Sequence, residues 1–252
     1  MVEPDAPVLS VGARRRLRLE SFVVLAVAVG TWYIVAPHLS PLDLWPAVAI
    51  VALGVLPATL GLIFLALPLW SRRWMIGAAA AFGVVAFLTW QLDWHLVSNF
   101  AKLAAYTCAG WAFLQIFEAL SWVVLVAAII PFVDTISVAA GPTKHIVNHH
   151  FEVYSALAVA FVAPGSGAAY LGPPDILFFA LFLAAAVRWE LRPGRTWLAM
   201  TGMYSLTLVL ANATDVGGLP ALPFLSFGFL LANADLLWRE FRRHRASRSE
   251  AT

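Results

Sequence analysis

This 252-residue sequence is poor in cysteine and poor in charge. Cys108 is its only cysteine, so no disulfide can close within the chain and no cysteine cage can hold zinc. Asp, Glu, Lys and Arg together make up 12% of the residues, against about 25% in soluble domains. Internal repeats and low-complexity segments are missing as well. Apolar side chain is what the sequence has in abundance: 62% of residues are hydrophobic, and the mean hydropathy is +0.83. No soluble domain of this length has an interior able to hide that much, because a large part of any folded surface must face water. A soluble enzyme, a disordered tail and a nucleic-acid-binding module are thereby excluded. An all-α, polytopic transmembrane helix bundle remains, with the lipid bilayer as its surroundings and no nucleic-acid partner.

A bilayer core needs about 20 apolar residues per helix. Uncharged runs at 21–37, 44–70, 75–92, 98–117, 121–140, 168–190, 197–213 and 219–238 predict about eight spans. The run at 44–70 is too short for two spans and is expected to tilt or to kink at Pro57. The first run has no small-residue cleavage site after it, so it reads as a span rather than a signal peptide. Orientation follows from the basic residues. With the N-terminus placed in the cytoplasm, Arg14, Arg15, Arg16 and Arg18, then Arg72 and Arg73, then Arg188, Arg192 and Arg195, then Arg239, Arg242, Arg243, Arg245 and Arg248 all fall inside. Only Lys102 and Lys144 fall outside. That bias predicts an integral membrane protein with both termini cytoplasmic. Trp45, Trp70, Trp74, Trp94, Trp122 and Trp238 lie near the predicted helix ends, where interfacial anchors belong. The run Gly77-Ala78-Ala79-Ala80-Ala81 predicts close helix packing.

Most of the fourteen acids sit in tails or loops. Asp235 precedes Arg239 by four residues, a spacing that pairs them on one helix face. Two acids interrupt apolar runs, Asp134 in 121–140 and Asp175 in 168–190. An ionisable residue at membrane depth is costly and marks a functional candidate. Asp134 lies six residues before the outer end of its run and Asp175 seven after the outer start of the next, so a helical rise puts both about 9–11 Å below the outer surface. Two carboxyls at one depth on consecutive helices can form a dyad. At about 3 Å separation such a pair cannot ionise twice and shares one proton. The ionised member can take a proton from water as it attacks a carbonyl, and the protonated member can donate to the carbonyl oxygen.

The residues around these acids resemble a known family. Phe132-Val133-Asp134, followed by Gly141-Pro142, is similar to the Tyr-Asp helix of presenilins and signal peptide peptidases. Leu171-Gly172-Pro173-Pro174-Asp175 is similar to their Gly-x-Gly-Asp motif, and Leu219-Pro220-Ala221-Leu222-Pro223 contains their Pro-Ala-Leu motif. The resemblance runs in order from about Glu118 to Trp238. It implies a presenilin-like bundle and an intramembrane aspartyl protease, cutting transmembrane helices or signal peptides without cofactor or metal. Asp134 and Asp175 would be catalytic, and Gly172, Pro220, Ala221 and Leu222 would line the substrate site. The chain would then divide into a basic tail (1–18), four N-terminal helices (19–117), a catalytic region (118–239, with an outer loop at 141–167) and a second basic tail (240–252). Two positions depart from the pattern: Val133 replaces the tyrosine and Pro174 the glycine before the second aspartate. Pro174 fixes φ and removes an N–H beside the acid, which puts activity in question and opens a non-catalytic reading. The family has nine helices against the eight counted here. With a cytoplasmic C-terminus the catalytic helices run as in signal peptide peptidases, which implies substrates with a cytoplasmic N-terminus.

Other features compete. Pro220 and Pro223, with Gly217 and Gly218, interrupt regular helix at the outer level; an ordinary turn uses the same residues, and the shared depth with the acids favours a site. The segment Tyr154–Val162 offers either a strand edge for an opened substrate or a surface helix, with helix favoured over 143–158. His145, His149, His150 and Glu152 cluster in the outer loop; they read as interfacial polar residues, with weak metal binding or pH sensing as the alternative. Ser166, in Pro164-Gly165-Ser166-Gly167, has no histidine after it except His244, in the tail, so a serine hydrolase is set aside. An ion- or proton-coupled transporter using Asp134 and Asp175 stays open as the main alternative.

Overall fold

The computed structural model describes residues 11–140, 151–165, 167–214 and 219–249. It is mostly helical, as expected, and helix occupies each of the eight apolar runs. In chain order these are α1 (Val11–Val35), α2 (Leu44–Ile50) continued through a wider turn at Val51–Val55 into α3 (Leu56–Ala66), α4 (Met75–Gln91), α5 (His95–Leu114) and α6 (Leu120–Ala140). A short α7 (Phe151–Leu157) leads to strands β1 (Val159–Val162) and β2 (Ala168–Leu171), then α8 (Pro173–Arg188), α9 (Pro193–Ala213) and α10 (Leu222–Ser249). Arg15–His38, Leu44–Leu69 and Leu120–Ser137 are long and apolar enough to cross a membrane, and Met75–Gln91 is a shorter apolar helix.

The irregularity expected at Pro57 is placed just before it. Val51–Val55 forms a π-helical turn, the kind of local adjustment that accommodates a residue without an N–H. The Ala52 carbonyl in that turn accepts a hydrogen bond from the Ser205 hydroxyl on α9, at 2.6 Å.

At the centre of the bundle lies α8. Ile176 and every residue from Phe179 to Ala186 are fully buried, as suits a helix that is apolar all round. It packs against α5, α6, α9 and α10. The approach of α5 is closest at Gly110, where an added Cβ would collide with the Leu177 carbonyl. In the alanine-rich run at 77–81, Gly77 faces open space while Ala78 and Ala79 pack against the core. On α10, Gly228 plays the corresponding part, with the Met200 Cα 3.0 Å from where its Cβ would stand.

The run at 168–190 does not begin as helix. Ala168–Leu171 is a strand, paired antiparallel with β1 in the register Val159↔Leu171, Ala160↔Tyr170, Phe161↔Ala169 and Val162↔Ala168. Gly165 in the turn takes a φ of +81°, which a side chain would disfavour, and its N–H reaches the Ala36 carbonyl after α1. The far edge of β1 is bonded by side chains. Asn99 accepts from the Ala160 N–H at 2.8 Å and donates to the Ala160 carbonyl at 3.0 Å. Tyr33 donates to the same carbonyl at 2.6 Å, and Trp32 to that of Val162 at 2.9 Å. Of the segment Tyr154–Val162, the first part is therefore helix and the last four residues strand, and the strand edge that a substrate could have used is already filled.

Candidate active site

Asp134 belongs to the inward stripe of α6. Val123 and Ala127 on that stripe are fully buried and Asp134 is half-buried, while Phe132, Val133 and Ile136 are exposed. The repeat of 123, 127 and 134 is the helical period that turns one face to the bundle. Val133, at 62% exposure, faces outward, so a tyrosine on its rotamer would point away from the carboxyls. One Asp134 carboxylate oxygen accepts the backbone N–H of Leu222 at 3.1 Å. Leu222 is the first residue of α10, and its N–H has no partner within its own helix.

Asp175 is the third residue of α8. Its carboxylate reaches back to the Gly172 N–H at 2.8 Å, the reach-back half of a capping box. Pro173 and Pro174 occupy the first two helical positions, where the N–H is unpaired in any helix and a fixed φ suits the turn. The Pro174 departure is thus compatible with the local backbone. Because the helix starts at Pro173, Asp175 is not two turns down a helix from residue 168, as the depth arithmetic assumed. A strand with a longer rise per residue carries the chain to it.

The two acids nonetheless stand on neighbouring elements. α6 packs on α8 and on α10, and the charges of Asp134 and Asp175 are within electrostatic reach of each other. Each sits at a helix N-terminus, Asp134 at α10 and Asp175 at α8, where the helix dipole favours an anion. The structure therefore joins Asp134 to Leu222 and Asp175 to Gly172 through named contacts. Pro220 and Ala221 lie just ahead of α10 in irregular backbone, and Pro223 falls in its first turn.

Two tyrosines to which the sequence assigned no part in the site stand near the acids. Tyr204, buried on α9, donates to the Asp175 backbone carbonyl at 2.9 Å and stacks on Phe179. Tyr154 on α7 lies beside Tyr170 of β2, with ring centroids 6.3 Å apart. Burial first, then the charges of Asp175 and Asp134 and the neighbouring Tyr170, push the Tyr154 hydroxyl up to about 12. The position of α7 is fixed from α5. Lys102 donates to the carbonyls of Ala158 at 2.6 Å and Ser155 at 3.2 Å, and Tyr106 donates to that of Leu157 at 2.7 Å. Lys102 is thus no loop cation; it is buried in α5, with its ammonium over Trp90. The signal for these residues was the scarcity of tyrosine. All five tyrosines, 33, 106, 154, 170 and 204, converge on α7, the hairpin or Asp175.

Asp235 pairs with a different partner from the one its spacing predicts. Both its carboxylate oxygens accept from the Arg192 guanidinium at 2.7 Å, tying the α8–α9 connection to α10. Among the described residues, no group of three or more His, Cys, Asp or Glu is placed to hold a metal. His145, His149, His150, Ser166, Gly217 and Gly218 lie outside the described residues. Neither a scan against protein-family models nor a search of curated proteins returns a match to this sequence.

Proposed function

We propose that this chain is an intramembrane aspartyl protease, hydrolysing peptide bonds in transmembrane helices or signal peptides with Asp134 and Asp175 as a water-activating pair. What supports the reading is that each carboxylate accepts a backbone N–H at a helix N-terminus, on elements that pack together. In such a pair one proton is shared, and which member acts as acid or base is a property of the pair. The ionised carboxyl accepts a proton from water as its oxygen attacks the scissile carbonyl. The other donates to the carbonyl oxygen, and transfer to the nitrogen then releases the amine. Gly172, Pro220, Ala221 and Leu222 border the space in which an unwound substrate would lie. The presenilin-like motifs at 132–134, 171–175 and 219–223 support the assignment.

The same reading takes the eight helical segments as eight crossings, with both termini cytoplasmic. Three contacts fit it: Arg18 reaches the carbonyls of Phe64 and Leu65, Arg188 that of Leu114, and Arg192 the Asp235 carboxylate. Each joins element ends that the alternating topology puts on the inner side. The hairpin turn meets the opposite end of α1 at Ala36.

The test is cleavage of a bilayer-embedded single-span reporter. Asp134→Asn and Asp175→Asn are each expected to lower cleavage at least a thousandfold while leaving the fold intact. An ion-coupled transporter built on the same carboxylates would show no cleavage in any form and would lose coupled uptake in both variants.

A further inference from the structure

We propose that Tyr204 is a positioning residue for Asp175: its phenol, bonded to the Asp175 backbone carbonyl, fixes where that carboxyl stands. Its effect on rate rests on the peptidase reading above; its effect on the start of α8 does not.

The need arises from how α8 begins. Strand β2 ends at Leu171 and the helix starts at Pro173, so only Gly172 separates them. Pro173 and Pro174 have no N–H, and the Asp175 N–H reaches only as far back as the Gly172 carbonyl, at 3.1 Å. Helix ends fray where backbone bonds are few. The bond from the Gly172 N–H to the Asp175 carboxylate is local and moves with the turn that carries it. A bond from another element is what holds this turn against the bundle, and Tyr204 supplies one.

On α9, Thr196, Met200, Tyr204 and Thr207 form one buried stripe. The Tyr204 hydroxyl donates to the Asp175 carbonyl at 2.9 Å, and its ring stacks on Phe179 with centroids 6.0 Å apart and planes 24° from parallel. Residues 175 and 179 are one helical turn apart. The phenol thus grips both ends of the first full turn of α8, its oxygen at one and its ring at the other. A buried tyrosine hydroxyl takes a partner, and this one is not local: Thr207 on the same helix bonds its own backbone at Met203, whereas Tyr204 crosses to α8. The support is itself fixed on both sides of Tyr204. Asn233 of α10 donates to Thr196 at 2.8 Å, and Ser205 donates to the Ala52 carbonyl at 2.6 Å. Misplacing a reacting group by about 1 Å costs on the order of a hundredfold in rate, so a single bond that limits drift at Asp175 has leverage on kcat.

The experiment uses the full chain in lipid nanodiscs, with Tyr204→Phe as the test and Ser205→Ala as the control. Phenylalanine keeps the ring on Phe179 and removes only the bond to the Asp175 carbonyl. Ser205→Ala removes a neighbouring hydroxyl–carbonyl bond that leads to the turn at Val51–Val55 and not to Asp175. Tyr204→Phe is expected to lower kcat for the single-span reporter about tenfold, the factor one neutral hydrogen bond can carry, and to leave KM in place. Ser205→Ala is expected to lower the unfolding midpoint as much and to leave kcat in place. Hydrogen exchange at the Gly172 amide, which the Asp175 carboxylate holds, is expected to quicken about tenfold in Tyr204→Phe alone. An unchanged kcat in Tyr204→Phe, a loss that falls in KM, or an equal loss in Ser205→Ala overturns the proposal and leaves the peptidase reading standing. If the folded wild-type protein cleaves nothing, the peptidase reading falls and the Gly172 amide decides. Faster exchange confined to Tyr204→Phe then upholds the positioning role, and unchanged exchange overturns it.

Discussion

Pro174 and Val133 show how far a single position can be judged from a motif. In the sequence, proline beside the second acid looks disruptive, because it takes away an N–H. In the helix it occupies the second position, where no N–H is bonded and the proline φ is already helical. Restoring glycine there is expected to leave cleavage within tenfold and to lower stability by roughly 0.4–1 kcal/mol, through greater freedom of the unfolded chain. Thermal unfolding and cleavage of Pro174→Gly check both. Val133 matters less than its neighbour suggests, since it points outward while Asp134 points in. The aspartates were legible because a charge inside an apolar run stands out. The tyrosines were not, since a phenol blends into an apolar run until its oxygen finds a partner. Asp235 was misjudged for a related reason. Local spacing offered Arg239, whereas a bidentate bond to Arg192 from another helix has the better geometry.

Among the elements, the hairpin between α7 and α8 was the least legible. Periodicity cannot separate a short apolar strand from the start of a buried helix, and Ala168–Leu171 ran straight into the apolar residues of α8. The strand pair is small, and what holds it in place is the far edge of β1. Asn99 there bonds the N–H and C=O of Ala160 as a neighbouring strand would. Asn99→Ala orphans the Ala160 N–H in a half-buried setting and is expected to cost about 1 kcal/mol. Faster hydrogen exchange at Ala160, together with a lower unfolding midpoint, measures it. The contact of α5 with α8 was legible only as a general need for small residues. The run at 77–81 packs through Ala78 and Ala79, while the close approach to α8 is made by Gly110. Gly110→Ala pushes a methyl into the Leu177 carbonyl two residues after Asp175. It is expected to destabilise by about 1–3 kcal/mol and to lower cleavage more than the matching change at Gly77.

For the molecule as a whole, composition was decisive and site geometry was not. The scarcity of charge excluded water as the surroundings of most of the chain, and each uncharged run holds a helix, although α1 begins ten residues before its run and α10 ends eleven after its own. The expected depth match of the acids rested on two regular helices, one of which begins five residues later than its apolar run. What relates them instead is the packing of α6 on both α8 and α10, with α10 starting at Asp134. Topology has its own check. In a Cys108→Ala background, single cysteines replacing Arg73 and Arg242 are expected to react with an impermeant thiol reagent only from the cytoplasmic side. Cysteines replacing Asp43 and Asp93 are expected to react only from the opposite side. Labelling of Arg73→Cys and Arg242→Cys from opposite sides would refute eight crossings with both ends inside.

The central claim is that Asp134 and Asp175 together activate water against a peptide bond. Its most direct measurement is mass spectrometry of a single-span peptide incubated with the purified protein in heavy-oxygen water. The account predicts cuts within the apolar segment, one heavy oxygen in each new carboxyl group, and no product from either Asp134→Asn or Asp175→Asn. Product from the Asn variants, or an intact peptide after incubation with folded wild-type protein, would contradict it.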